Sequence, residues 1–148
     1  MSKSVELIAR GLAVVGGRVL LCRNDRGGYF YLPGGHVEFG EPAAHALNRE
    51  FVEECGVQVR IGKLCLTSEG VFEARGKRHH EVNLVFHVEL KNAKSVVSKE
   101  AGLSFHWIDL STLATTDLRP AGMKAWLEAG GRSDVAWMSE IAAKGGGV

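Results

Sequence analysis

The sequence predicts an α/β domain, and two periodic segments of the 148-residue chain carry that prediction. Apolar residues alternate along residues 81–90, which is the pattern of a half-buried strand. In residues 42–56 the apolar residues recur at helical spacing instead, and this segment begins with a proline and ends with a glycine. Because 45% of the residues are hydrophobic and 24% are charged, we expect these strands and helices to share one soluble, globular core.

Further strands are predicted on both sides of the first helix. Residues 5–23 alternate and then become apolar, with Gly16-Gly17 as a strong hairpin signal in the middle. The polar run 73–80 predicts the tip of a second hairpin. Other strand-like segments cover residues 29–32, 58–66 and 103–108. The order of these elements indicates a sheet with the helix inserted after its early strands.

A second helix is predicted from residue 117 to Glu128, with Pro120 near its first turn. Its packed face is expected to consist of Met123, Trp126 and Leu127. We therefore place one domain at residues 1–130 and a C-terminal tail at 131–148. The tail is expected to add one or two helical turns and then to be disordered. Its apolar residues could dock on the domain or on a second subunit, so a homodimer stays open.

Charge and cysteine content limit the kinds of binding partner and the cellular compartment that we expect. The formal net charge is +1, from 18 basic and 17 acidic residues, which gives no sign of nonspecific nucleic-acid binding or of a membrane-surface partner. The three cysteines form no CxxC pair, and the first ten residues lack the apolar run of a signal sequence. No segment approaches the roughly 20 apolar residues of a membrane span. We expect a cytoplasmic protein with reduced thiols and no stable nucleic-acid partner.

Three glutamates share one face of the first predicted helix. Glu50, Glu53 and Glu54 stand at positions i, i+3 and i+4, where like charges destabilise a helix by roughly 0.2–0.5 kcal/mol per pair. A hard divalent cation removes that conflict, because Mg²⁺ binds a few carboxylates while keeping waters for a phosphate-bearing substrate. Beside them runs an apolar stripe, predicted to be buried, of Ala44, Leu47, Phe51 and Cys55.

The stretch from Leu32 to Val57 resembles the Nudix box, GX5EX7REUXEEXGU, in which U is a bulky apolar residue. The specified positions read here as Gly35, Glu41, Arg49-Glu50-Phe51, Glu53-Glu54 and Gly56-Val57. Every one agrees, and the aromatic Phe51 at the first U is a packing variation. The alternative is an ordinary amphipathic helix with a charged face, and nine specified positions at fixed spacing argue strongly against it.

The resemblance covers about residues 5–128 and implies the Nudix fold, a mixed β-sheet between α-helices. It implies hydrolysis of a nucleoside diphosphate linked to another moiety, by attack of water on the pyrophosphate bridge. Mg²⁺ is the implied cofactor, and Mn²⁺ is expected to substitute. The implied metal ligands are Gly35, Glu50, Glu53 and Glu54, of which one carboxylate could act as the base instead. Arg49 and Glu41 resemble the ion pair that orients the helix and loop.

Many family members carry one more glutamate, outside the box, as base or extra metal ligand. Glu100 is the first candidate because its loop precedes a late strand, although an exposed loop acid is an equal alternative. The other candidates are Glu69, Glu73 and Glu81. Tyr29 or Tyr31 could line the base pocket, and the guanidinium groups of Arg23 and Arg78 suit phosphate oxygens.

The substrate is predicted by subtraction. Some family members that cleave ADP-ribose carry a proline about fifteen residues after the box, and some that cleave dinucleoside polyphosphates carry a tyrosine slightly further on. Here Phe72-Glu73-Ala74 occupies that region. A nucleoside triphosphate, cleaved to the monophosphate and pyrophosphate, is therefore favoured over ADP-ribose or a nucleotide sugar.

Two functions of other classes stay open at this point. A non-catalytic Nudix-like module that binds a nucleotide is disfavoured, because such modules usually lose box glutamates or the arginine and this chain keeps all of them. An RNA-end-processing role is kept open only by the basic residues at 75–78.

Overall fold

The computed structural model describes residues 3–131 and 136–141. The strands are β1 Val5–Leu12, β2 Val14–Val15, β3 Arg18–Asn24, β4 Tyr29–Tyr31, β5 Gly34–His36, β6 Val59–Ala74, β7 Lys77–Leu90, β8 Leu103–Asp109 and β9 Ala136–Ser139. The helices are α1 Ala43–Cys55 and α2 Ala121–Glu128, and short 3-10 turns cover Ala93–Ser95 and Leu110–Thr115.

The strands divide over two sheets. The larger sheet has the order β5-β1-β7-β6-β9, in which β1–β7 and β6–β9 are parallel and the other pairs are antiparallel. In the smaller sheet, β3 pairs along its full length with β8, so β2 and β4 share its other edge. The predicted α/β architecture with a mixed sheet between helices is confirmed, and the predicted turn at Gly16-Gly17 joins β2 to β3.

Helix α1 begins at Ala43, one residue later than predicted, because Pro42 occupies the cap position in an extended conformation. It ends as predicted at Gly56, whose φ of 71° is the left-handed conformation that glycine adopts without a steric penalty. Its buried residues are Ala46, Leu47, Phe51 and Cys55. The prediction that Ala44 belongs to this stripe is wrong, because Ala44 is exposed and Ala46 takes its place.

Two apolar clusters place the sheets between the two helices. One lies under α1 and joins Leu47 and Phe51 to Ala9 of β1 and Leu20 of β3. The other joins Met123 and Leu127 of α2 to the opposite faces of both sheets, with Trp126 partly buried against it. As a result, α1 is held against β1 and β5, and its glutamates stand at the edge of the larger sheet.

Three further segments differ from the sequence-based prediction. Helix α2 begins at Ala121, four residues later than predicted, because Pro120 occupies its cap position in an extended conformation. The second hairpin is longer, because β6 continues to Ala74 and β7 already begins at Lys77, leaving only Arg75 and Gly76 as its tip. The helical prediction for the tail is wrong at 136–139, where β9 forms and pairs with β6. The remainder of the tail lies largely outside the described residues. In the part of the chain that the structure describes, no helix is both long enough and apolar enough to cross a membrane.

Candidate active site

Arg49 is the centre of the polar contacts around α1. Its Nε donates to Glu41 Oε2 at 2.8 Å and its Nη2 to Glu41 Oε1 at 2.9 Å, which is a two-pronged ion pair. Nη2 also donates to the backbone oxygen of His36 at 3.0 Å. The hydrogen bonds from Arg49 lower the pKa of Glu41 to about 2, and in return they raise the pKa of Arg49. Arg49 thus ties the helix to the loop between β5 and α1.

The same guanidinium reaches two of the three clustered glutamates. Nη1 donates to Glu50 Oε1 at 2.9 Å and to Glu53 Oε2 at 3.4 Å. The Glu50 side chain is only 14% exposed, whereas that of Glu53 is 57% exposed. The spacing of the box therefore brings its arginine and both carboxylates into one network at the surface end of the packed helix.

Glu50 lies directly against Gly35. A Cβ added to Gly35 would stand 2.3 Å from the carboxyl carbon of Glu50 and 2.6 Å from each carboxylate oxygen. Any other residue at position 35 would force the Glu50 carboxylate to move, since a real Cβ almost never comes within 3.0 Å of another heavy atom. The absence of a side chain at Gly35 is what lets this carboxylate lie against the backbone of β5.

Glu54 follows Glu53 on α1, and its pKa is the most strongly shifted among the carboxyl groups of the site. Burial, followed by the charges of Glu50 and Glu100, raises its pKa to about 8, against the charge of Arg10. The loop that carries Glu100 is fixed to the end of α1, because Lys99 N donates to Glu54 O at 2.9 Å. Glu100 itself is exposed, and its charge acts on Glu54.

These residues have the chemistry of a divalent-cation site. Burial first, and then the charges of Glu50 and Glu100, raise the pKa of Glu54, and a hard cation prefers such carboxylate oxygens. Both carboxylate oxygens of Glu50 lie 2.6 Å from the place that a Cβ on Gly35 would take, so this carboxylate lies close against the backbone of Gly35. Among residues 3–131 and 136–141, no three His, Cys, Asp or Glu side chains stand together as a ready-made cage. Arg49 accounts for part of this, because it draws Glu50 and Glu53 to itself.

Arg10, Asn83 and Glu81 extend the polar site onto the larger sheet. Arg10 Nε donates to Asn83 Oδ1 at 3.1 Å, and Arg10 Nη1 donates to the backbone oxygen of Leu32 at 3.2 Å. The Arg10 guanidinium also lies 5.3 Å from the centre of the Tyr31 ring. Sequence reasoning missed Arg10 and Asn83. Arg10 interrupts an apolar stretch of β1, which is a signal by which it could have been found, since a polar group in a strand core needs a partner. Asn83 stands on the alternating polar positions of β7 and gives no such signal.

Tyr31 is placed at the site by its strand pairing. It stands opposite Cys22 of β3, and burial raises the pKa of both groups, that of Cys22 to about 11. Arg119 covers the neighbouring Tyr29, with its guanidinium 4.4 Å from the ring centre. Tyr31 therefore lies beside Arg10 and within the electrostatic reach of Glu54, where the base pocket is predicted.

The two predicted phosphate-binding arginines are not brought to the glutamates. Arg23 lies between Cys22 and Asn24 on β3, so its side chain points to the opposite face from Cys22, and it pairs with Asp25 at 2.9 Å. Arg78 is exposed near the tip of the second hairpin. It lies six positions along β7, or about 20 Å, from Leu84, which pairs with Ala9 beside Gly35.

The other candidate glutamates differ in whether their contacts lie at the site or away from it. Glu81 lies 3.8 Å from Arg10 Nη2 and joins the site. Glu69 accepts from Ser139 Oγ at 2.9 Å, and Glu73 stands opposite Arg78 at the hairpin. Of the acids outside the box that were considered, Glu100 acts on Glu54 by its charge, and Glu81 reaches Arg10, whose charge also acts on Glu54.

Comparison with known proteins identifies the family to which this fold and site belong. A family model described as the NUDIX domain matches residues 7–128, which is most of the chain. The chain belongs to the NUDIX family. It is a hydrolase that acts on pyrophosphate bonds; the family's substrates are nucleotides, and its members generally use divalent metal ions.

Solved structures with the same fold include proteins of different described activities. A MutT protein from Bacillus halodurans is 22% identical, with a TM-score of 0.73 over 89% of this chain and 86% of that one. A MutT NUDIX hydrolase from Burkholderia pseudomallei is 25% identical, with a TM-score of 0.64 over 74% and 86%. An ADP-ribose pyrophosphatase from Streptococcus suis is 16% identical, with a TM-score of 0.66 over 91% and 98%.

Proposed function

We propose that this protein is a Mg²⁺-dependent pyrophosphohydrolase that converts a nucleoside triphosphate to the monophosphate and pyrophosphate. The observation that carries the proposal is the convergence of Glu50 and Glu54 beside Gly35, with Arg49 paired to Glu41 behind them. A site of this kind suits a polyanionic substrate only if a cation compensates the carboxylates, because phosphates and carboxylates otherwise repel.

In this proposal the cation is held by the Gly35 carbonyl and by Glu50, Glu53 and Glu54. When bound, it screens the phosphates and lowers the pKa of the attacking water. Arg49 remains on Glu41 and keeps the helix and the loop in register, so it positions the ligands without touching the substrate.

A proton must leave the water that attacks phosphorus. Glu100 is our candidate for its acceptor, supported by the backbone hydrogen bond that fixes its loop to Glu54. Because Glu100 is exposed, it can pass the proton on to solvent. The nucleoside end of the substrate is assigned to the neighbourhood of Tyr31, whose ring can pack against a base. Arg23 and Arg78 have no part in this arrangement unless the substrate extends away from the glutamates.

The proposed reaction is tested by product analysis in Mg²⁺ on a panel of nucleoside triphosphates, ADP-ribose, nucleotide sugars and dinucleoside polyphosphates. Running the reaction in H₂¹⁸O shows which phosphorus is attacked, since the label enters either the monophosphate or pyrophosphate. Monophosphate and pyrophosphate from a triphosphate are expected. Turnover confined to ADP-ribose or sugar nucleotides would refute the proposed substrate but not the proposed cleavage of a pyrophosphate bond. Binding of a nucleotide without turnover would favour a binding module. We also place the protein in the cytoplasm, which cell fractionation tests.

A further inference from the structure

Two hydrogen bonds and an ion pair form a closed set of contacts beside the turn that leads to Gly35. Arg10 donates to Asn83 Oδ1 at 3.1 Å, and Asn83 Nδ2 donates to Glu81 Oε2 at 3.4 Å. Glu81 Oε2 lies 3.8 Å from Arg10 Nη2, which completes the ring of contacts. The remaining terminal nitrogen of Arg10 donates to Leu32 O at 3.2 Å. We call Arg10, Asn83 and Glu81 the clamp.

The clamp costs more than an apolar contact at the same place. The side chains of Arg10 and Glu81 are only 17% and 16% exposed, so both charges are largely removed from water. An ion pair in such a position usually stabilises a fold no better than apolar side chains of similar size. Its value must therefore lie in the geometry that it imposes on the groups it contacts.

The backbone group that the clamp contacts belongs to Leu32, the first of the three residues that come immediately before Gly35. The clamp binds the carbonyl of Leu32, and Gly11 N binds the carbonyl of Pro33 at 2.8 Å. Gly34 lies so close to β1 that an added Cβ would stand 1.9 Å from Ala9 O. The whole segment 32–34 is thus pressed onto β1, and Arg10 is the side chain that fixes its first carbonyl.

We propose that Arg10, oriented by Asn83 and Glu81, is a positioning residue that sets the place of the Gly35 carbonyl against Glu50. The inference rests on the proposed metal-dependent function, because it assigns the clamp to the cation-binding loop. Partners that orient metal ligands typically change metal affinity or activity by about 10- to 100-fold when removed.

Lysine is the informative substitution at Arg10. It keeps the positive charge and much of the aliphatic length, but its single ammonium cannot serve Asn83, Leu32 and Glu81 at their separate positions. Arg10→Lys therefore tests geometry rather than charge. Arg60→Lys is the matched control, because Arg60 lies on the same sheet and pairs with an acid, Glu89, at an exposed site.

The measurement is Mn²⁺ binding to substrate-free protein, read from the electron paramagnetic resonance signal of the free ion, with folding checked by circular dichroism. We expect Arg10→Lys to raise the dissociation constant by about 10- to 100-fold. Arg60→Lys should leave it unchanged. Steady-state kinetics should show a higher Mg²⁺ requirement with kcat recovering at saturating Mg²⁺, which a general loss of stability would not produce.

An unchanged Mn²⁺ dissociation constant in folded Arg10→Lys overturns the inference, and a rise in KM alone would reassign Arg10 to direct substrate contact. If Arg10→Lys does not fold, Asn83→Leu takes its place, since it keeps the size of the side chain and removes the acceptor for Arg10. The readout needs no turnover. A wild-type protein that binds Mn²⁺ but cleaves no nucleotide would refute the proposed function, while the clamp would still be judged by the Mn²⁺ titration.

Discussion

Replacing Glu54 with glutamine measures how much the buried negative charge at this position costs the folded protein. The folded protein raises the pKa of Glu54 from 4.5 to about 8, mainly by burial and then by the charges of Glu50 and Glu100. Protonated Glu54 can donate to Glu50, and the amide of glutamine can do the same at every pH. Glu54→Gln therefore keeps the shape and the hydrogen bond of the protonated state and removes the titration.

The sign and size of the effect follow from proton binding. Between about pH 4.5 and pH 8, the metal-free folded protein holds a proton on Glu54 that the unfolded chain has released. The folded state then binds more protons, so the contribution of Glu54 to stability falls as the pH rises through this window. A tenfold change in proton affinity is worth about 1.4 kcal/mol, so full ionisation costs about 5 kcal/mol, reduced to about 2 kcal/mol where water reaches the carboxyl.

The assay is urea unfolding of wild type and Glu54→Gln in EDTA at several pH values from 4.5 to 8. We expect the free energy of unfolding of the variant, minus that of wild type, to increase by about 2–5 kcal/mol across the range. Saturating Mg²⁺ should shrink or reverse the difference, because only wild type has its full set of ligands. Glu128→Gln, at the exposed end of α2, is the control. A difference that does not change with pH would contradict the raised pKa of Glu54.

The remaining predictions concern the same helix and loop. Arg49→Lys should lower kcat by about 10- to 100-fold in a folded protein, because an ammonium cannot hold both oxygens of Glu41, and steady-state kinetics with circular dichroism test it. Gly35→Ala should displace Glu50 and raise the Mn²⁺ dissociation constant at least about tenfold, whereas an unchanged constant would contradict the close contact. Phe51→Ala should cost about 3–5 kcal/mol in chemical unfolding, since Phe51 is 1% exposed in the cluster under α1; a loss below about 1 kcal/mol would contradict that packing.

The parts of the fold that could be predicted depend on local chemistry. Gly16-Gly17 marks a hairpin because glycine tolerates the positive φ of its turn, and Gly56 ends α1 for the same reason. The box is local too, since a helix alone brings Arg49 next to Glu50 and Glu53.

The parts that escaped prediction depend on pairing between distant segments. The strand at 136–139 forms only because β6 offers a free edge about 70 residues earlier in the chain, and nothing local distinguishes it from a helical turn. The face on which Arg23 lies is likewise set by the register of β3 against β4 and β8. Arg10 and Asn83 meet because β1 and β7 run parallel, across 73 positions of sequence.

The most direct test of the account is the Mg²⁺-dependent turnover of Glu53→Gln beside wild type on the best nucleotide of the panel. Arg49 contacts both Glu50 and Glu53, and the side chain of Glu53 is the more exposed of the two. The substitution at Glu53 should therefore leave the fold intact. We expect a loss of kcat of at least about 100-fold, with normal circular dichroism and weaker Mn²⁺ binding. Turnover equal to that of wild type in the folded variant would contradict the claim that these glutamates hold the catalytic cation.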